Sequence, residues 1–238
     1  MLFALDLLRW HGGRLLTLSV FSITLVTLSG CTGQLSMLDP GGPAARSISM
    51  LWWGMLIAFT AIFALVMALL ALAWRPARDG AARSSSERTW IIGLGLVFPS
   101  VILISLLAYG LWLGERLIPR DDPDVTRVTA EARRWSWTFS YDQNPGRTTL
   151  NVLHIPAGRP VDVAITTADV IHSFWVPRLA GKLDAIPGHV NVLRIEADLP
   201  GTYAGQSAEF SGPGYDGHTF SVVAHGPEDW QSFLEGGL

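Results

Sequence analysis

Two long stretches of this chain carry no charged side chain: Ser47 to Trp74 and Thr89 to Gly114. About 20 apolar helical residues cross a bilayer core, so each stretch is long enough to span with some tilt. Trp52, Trp53 and Trp74 flank the first and Trp90 and Trp112 the second, as amphipathic rings do at a membrane–water boundary. Pro99 falls inside the second span, where a kink is tolerated if neighbouring groups satisfy the freed carbonyl. The loop between them, residues 75–88, holds Arg75, Arg78, Arg83 and Arg88 against Asp79 and Glu87. The positive-inside rule makes that loop cytoplasmic and puts both flanking segments outside. No Asp, Glu, Lys, Arg or His lies within the spans, so this chain has no ion or proton path of its own. Its helices are expected to pack on a larger partner, with simple anchoring as the plainer alternative.

The chain begins with Arg9 and Arg14, an apolar stretch from Leu15 to Leu28, then Ser29, Gly30 and Cys31. A basic start, a short apolar segment and small residues at the cut describe a secretory signal peptide, here residues 1–30. Leu28-Ser29-Gly30-Cys31 has the form of a bacterial lipobox, whose cysteine receives lipid and becomes the mature N-terminus. The competing reading is a membrane helix with a buried cysteine, but the apolar run is short for a span. Acyl chains on Cys31 would add membrane affinity through buried methylenes. Cys31 is also the only cysteine, which excludes an intramolecular disulfide and any Cys-pair metal cluster.

After a short external segment (31–46) and the helical hairpin (47–114), residues 115–238 change character. Acidic side chains outnumber basic ones, and the net charge of -3 for the whole chain argues against a nucleic-acid partner. "RVTAEARRWSWTFSY", "TTLNVLHIP", "PVDVAITTAD", "HVNVLRIEADLPGTY" and "HTFSVVAH" read as strands. Turn formers separate them at Asn144-Pro145-Gly146, Pro156-Ala157-Gly158, Pro187-Gly188 and Pro200-Gly201. Strands at this spacing predict a β-sandwich or barrel, and "PEDWQSFLEGG" predicts one short closing helix. The expected fold is therefore a two-helix transmembrane hairpin followed by an all-β external sandwich.

Three strings then carry a resemblance: the aromatic run Trp135 to Tyr141, "ADVIHSFWVPRLAGKLDAIPG" (168–188) and "PGTYAGQSAEFSGPGYDGH" (200–218). Together they resemble subunit II of haem–copper terminal oxidases over nearly the whole mature chain. The resemblance implies a cupredoxin-like sandwich facing the periplasm of a bacterial inner membrane, attached to a haem-bearing subunit I. In the cytochrome c oxidase branch it implies a dinuclear copper centre, CuA. Its ligands there are a His after the "DVI" stretch, two Cys flanking a Glu, a further His and a Met. Here His172 matches the first ligand and Glu209 the intervening Glu. Ser207 and Ser211 stand where the two Cys would be, Tyr215 where the second His would be and His218 where the Met would be. A serine hydroxyl is hard and un-ionised at neutral pH, so it does not replace a bridging thiolate, and a blue-copper site needs a Cys as well.

The loop "SGPGYDGHTF" and the mature start "LSMLDPGG" are similar to the bo-type ubiquinol oxidase branch. That likeness implies subunit II of a proton-pumping enzyme that takes electrons from ubiquinol and reduces O2 to water. Haems and copper would lie in subunit I, further partners would be subunits III and IV and membrane lipid, and this chain would bind no cofactor itself. One alternative is a modified copper cupredoxin built on His172 and His218 that accepts electrons from cytochrome c. Another is a structural lipoprotein that has left the oxidase. Glu209 is compatible with a Mg2+ shared with subunit I, as hard cations accept carboxylates, although a salt-bridged Glu is the plainer reading. Asp184 invites a subunit-contact reading on the same terms. His172 alone reads as a hydrogen-bonded loop histidine. Trp135, Trp137, Phe139 and Tyr141 alternate and read as core or interface, while His154, His189, His218 and His225 fall on different predicted elements.

Overall fold

The computed structural model describes residues 32–74, 88–120 and 125–237. The expected signal peptide with Cys31, and residues 75–87 of the loop between the apolar runs, lie outside the described residues. Helix α1 (Pro43–Ala73) begins four residues ahead of the expected span. Pro43 suits a first helical turn, where its missing amide has no partner to lose. The second apolar run opens as a π-helix (Thr89–Val97) and continues as α2 (Phe98–Leu117). The Phe98 amide reaches back five residues to the Gly93 carbonyl, just ahead of Pro99, which has no amide to offer the preceding turn. Ile57, Phe63, Leu103 and Leu111 are 68%, 66%, 63% and 67% exposed, so both helices present surface that only lipid or protein would cover.

Ten strands form two five-stranded sheets. One sheet has the order β3 (Asn144–Leu150), β2 (Ser136–Tyr141), β1 (Thr126–Arg133), β5 (Val161–Thr167), β8 (Asn191–Ile195). The other runs β4 (Val152–Pro156), β10 (Thr219–His225), β9 (Gly201–Ser207), β6 (His172–Trp175), β7 (Lys182–Ala185). Strands β1 and β5 are parallel, as are β4 and β10, and the other pairs are antiparallel. Alternation along β1, β2 and β5 sends Val128, Ala130, Trp137, Phe139, Val163 and Ile165 into the core, each with no exposed surface. Burying one large apolar side chain contributes about 1.5–3 kcal/mol, so this aromatic-rich layer is the main stabiliser of the sandwich. Helix α3 (Pro227–Glu235) closes the core with Trp230 and Phe233, and Gly236 ends it at φ 95°. This is the cupredoxin-like sandwich with two apolar helices and a short C-terminal helix that the sequence predicts.

Several local expectations change. The turn expected at Asn144-Pro145-Gly146 forms at Asp142 and Gln143 instead, and the three residues enter edge strand β3. Asn144 pairs with Tyr141 and donates to the Leu234 carbonyl at 2.8 Å, while an edge strand tolerates proline. Trp135 does not share a strand with Trp137, because the chain turns at Arg134 and Trp135 between β1 and β2. Strands β6 and β7, four residues each, lie inside the string whose only sequence signal was its resemblance.

The start of α1 is bound to the sandwich. Gly41 donates to the Arg178 carbonyl at 2.7 Å, Asp198 donates to the Gly41 carbonyl at 2.8 Å, and Ala45 donates to the Leu179 carbonyl at 3.2 Å. Arg46 pairs with Asp198, and Arg178 with Asp39 at 3.1 Å. A Cβ on Gly42 would stand 2.0 Å from the Glu196 carbonyl oxygen, so only glycine permits this approach.

Candidate functional site

The loop strings converge. His172 opens β6, Ser207 ends β9, and the Tyr215–Gly217 3-10 turn delivers His218 just ahead of β10. His172, Ser207 and His218 have no exposed surface and Ser211 keeps 4%. The His172 and His218 rings stand edge to face with centroids 5.0 Å apart. Trp137 stacks on His218 at 5.7 Å, and Trp135, over the Gly212 and Gly214 loop, meets it edge-on at 6.2 Å. Gly205 is needed beneath this layer, since a Cβ there would stand 2.4 Å from the Phe220 ring.

Asp169 organises the His172 end. Its Oδ1 meets His172 Nε2 at 2.8 Å and accepts from the Val170 amide at 2.7 Å, while Oδ2 accepts from the Arg134 amide at 2.9 Å. Burial alone would raise the Asp169 pKa, but the Arg134 amide, His172, the Val170 amide and the Thr167 hydroxyl together hold it well below the usual carboxylate range. Burial lowers the His218 pKa, and neighbouring His172 adds to this; the Ser136 backbone and Asp169 act in the opposite direction. His218 is therefore a neutral ring at neutral pH.

The two serines differ in their hydroxyl bonding: Ser207 is hydrogen-bonded and Ser211 is not. Ser207 Oγ accepts from the Ser173 amide at 3.2 Å, and Ser173 Oγ accepts from the Ala208 amide at 3.3 Å. Ser211 accepts from Arg134 Nε through its backbone carbonyl at 3.1 Å. Its hydroxyl, His172 Nδ1 and both ring nitrogens of His218 are buried with no hydrogen-bond partner in the domain. A copper centre of the CuA kind does not fit this donor set, which offers two imidazoles and two hydroxyls but no thiolate. Among the described residues no group of three His, Cys, Asp or Glu is placed to hold a metal.

Glu209 pairs with Lys182, which also lies 3.7 Å from Asp184. The Glu209 hydrogen bond raises the Lys182 pKa, partial burial opposes it and Asp184 adds to the rise. Tyr215 meets Phe210 edge-on at 5.3 Å, and His189 meets the Asn191 side chain at 3.0 Å. The scattered histidines 154 and 225 come together, with Nδ1 of one 2.7 Å from Nε2 of the other. Sequence reasoning missed Asp169, although its spacing of three residues ahead of His172 was the signal that could have found it.

Known proteins share much of this sequence. A sequence profile for cytochrome c oxidase subunit II, periplasmic domain, matches residues 145–224. The cytochrome c oxidase subunit 2 of Alkalihalophilus pseudofirmus is 32% identical over 90% of this chain, which spans 66% of that relative's length. The quinol oxidase subunit 2 of Bacillus cereus is 27% identical over 95% of this chain and 79% of its own. The crystal structure of the periplasmic domain of cytochrome oxidase subunit II from Bradyrhizobium japonicum is 24% identical, with a TM-score of 0.46 over 50% of this chain and 96% of that one. With its two apolar helices, its sandwich and the loops that converge on His172 and His218, the chain belongs to the subunit II family of haem–copper terminal oxidases.

Proposed function

We propose that this chain is subunit II of a proton-pumping respiratory oxidase fed by ubiquinol, and that it supports the assembly of subunit I without carrying electrons. The observation that carries this reading is Ser207 at a thiolate position, its hydroxyl already occupied by the Ser173 amide at 3.2 Å. Without a thiolate the sandwich offers no redox centre, so electrons from a soluble cytochrome have no acceptor here. A relative named quinol oxidase subunit 2, aligned over 95% of this chain, supports the same choice of donor. In this reading haems and copper in subunit I reduce O2 to water, and subunits III and IV complete the complex. Residues 1–30 are removed, Cys31 is acylated, residues 75–88 face the cytoplasm and residues 115–238 the periplasm of the inner membrane. Sharing a Mg2+ through Glu209 would require its pair with Lys182 to open.

A test is to purify the intact complex, measure its metals and follow oxygen consumption. Ubiquinol is expected to sustain oxygen uptake and reduced cytochrome c is not. Uptake driven by cytochrome c, with copper in the sandwich, would sink the proposal. The alternative of a modified copper cupredoxin draws on one observation, the buried His172 and His218 rings at 5.0 Å with unpartnered nitrogens. It requires an EPR signal from that domain which His172→Ala abolishes.

A further inference from the structure

A cavity of about 690 Å³ lies between the ends of the two helices and the sandwich. Met50, Leu113, Leu117 and Ile118 give it an apolar wall, and Arg116 and Arg120 also line it. Arg116 lies over the Trp112 ring, 3.9 Å from its centroid, and pairs with no carboxylate among the described residues. Arg120 faces Glu115 at 3.9 Å with both side chains about three-quarters exposed (76% and 74%), a pair that solvent makes weak. Arg194 differs: it holds Asp162 with two bonds of 2.7 and 2.8 Å. It also donates to the Arg120 carbonyl at 2.7 Å, which fixes the backbone that carries Arg120.

These features sit where α1 begins and α2 ends, beside Trp112, at the level where a bilayer's hydrocarbon gives way to headgroups. Water alone would wet an apolar wall, and a soluble phosphate ester would leave that wall bare. A further apolar helix would leave two guanidinium groups without an anion. A ligand with a phosphodiester and a hydrocarbon chain satisfies both halves of the cavity. We propose that it seats one glycerophospholipid, with the phosphodiester on Arg116 and Arg120 and an acyl chain along Leu113, Leu117 and Met50. The planar guanidinium fork suits two phosphate oxygens, and a cavity of this size is ample for a headgroup and the upper part of a chain. Glu196 also lines the cavity; burial first, and Asp198 next, raise its pKa, which softens its repulsion of a phosphate, while Arg46 opposes the shift. The inference is independent of which donor feeds the oxidase.

The test is native mass spectrometry of the complex, purified with dioleoyl phosphatidylglycerol or with dioleoylglycerol, which has the same chains and no phosphate. Subunit II ejected in the gas phase is expected to carry one phosphatidylglycerol and no dioleoylglycerol. The double variant Arg116→Gln, Arg120→Gln is expected to lose that adduct at least five-fold while remaining in the complex. Equal retention of the two lipids overturns the proposal, as does an undiminished adduct on the double variant. A wild-type subunit II ejected bare also overturns it, since a neighbouring subunit then fills the cavity.

Discussion

His154 and His225 stand with ring centroids 5.0 Å apart, and so do His172 and His218. The first pair is stacked at 9° and shares a hydrogen bond of 2.7 Å; the second is edge to face at 87° and shares none. Phe233 stacks on His154 at 4.3 Å and Arg147 covers the same Phe233 ring at 4.0 Å, so the first pair is part of the packing of α3. Around the second pair, three imidazole nitrogens, the Trp137 indole nitrogen and the Ser211 hydroxyl are buried without a partner. An unmet buried polar group costs about 1–3 kcal/mol, so packing alone does not favour this arrangement. The contrast separates histidines that hold a fold together from histidines that a fold carries at some cost. It also locates the cost in the loops that carry the sequence resemblance, at His172, Ser211 and His218.

The largest effect should come from the floor beneath the second pair. Trp137→Ala removes a fully buried ring that contacts Phe139, Phe174, Phe220 and His218, and should cost about 3–5 kcal/mol in denaturant unfolding of the purified chain. A loss below about 1 kcal/mol would mean that the sandwich does not rest on this layer. Acid should act next, and on the first pair. Burial lowers the His154 pKa to about 4 from 6.5, with repulsion from His225 and Arg147 adding to the shift. The unfolded chain therefore takes up a proton that the folded one resists, and stability should fall as pH drops from 6.5 to about 4. Asp169 works in a lower window: its pKa is held below 3.8, so the stability it contributes is intact above 3.8 and is lost only as the pH falls further. Unfolding midpoints measured from pH 7 to pH 2 would decide both; a flat profile between 6.5 and 4 would remove His154 from the account, and a flat one below 3.8 would remove Asp169. The smallest effect is a difference in sign. His218→Phe should be neutral or stabilising by about 1 kcal/mol, whereas His154→Phe should destabilise by about 1 kcal/mol. Equal losses at both sites would erase the contrast.

What the sequence made legible follows from the range of the interactions. The apolar runs, the alternating strands and the closing helix are local patterns, readable one segment at a time, whereas Ser207 and Ser211 drew their meaning only from the resemblance. His154 and His225 are 71 positions apart and meet only because β4 and β10 pair in parallel, which no local pattern announces. Trp135 keeps the alternation of Trp137 and Phe139 in sequence but sits in the turn before β2, which alternation alone does not reveal. The turn at Asp142 was missed because Asn144 finds its partner at Leu234, across 90 residues. The cavity beside Arg116 was hidden for a similar reason, as its walls come from both helices and from the segment around Arg194.

Gly42 has a mechanical consequence. Its contact with the Glu196 carbonyl, and the backbone bonds of Gly41 and Ala45 on either side, join the start of α1 directly to the sandwich. A head joined this way is a rigid extension of its mast rather than a weight on a string. A tilt of α1 in the bilayer would turn the whole β domain through the same angle, and pressure on the domain would be felt directly in the membrane.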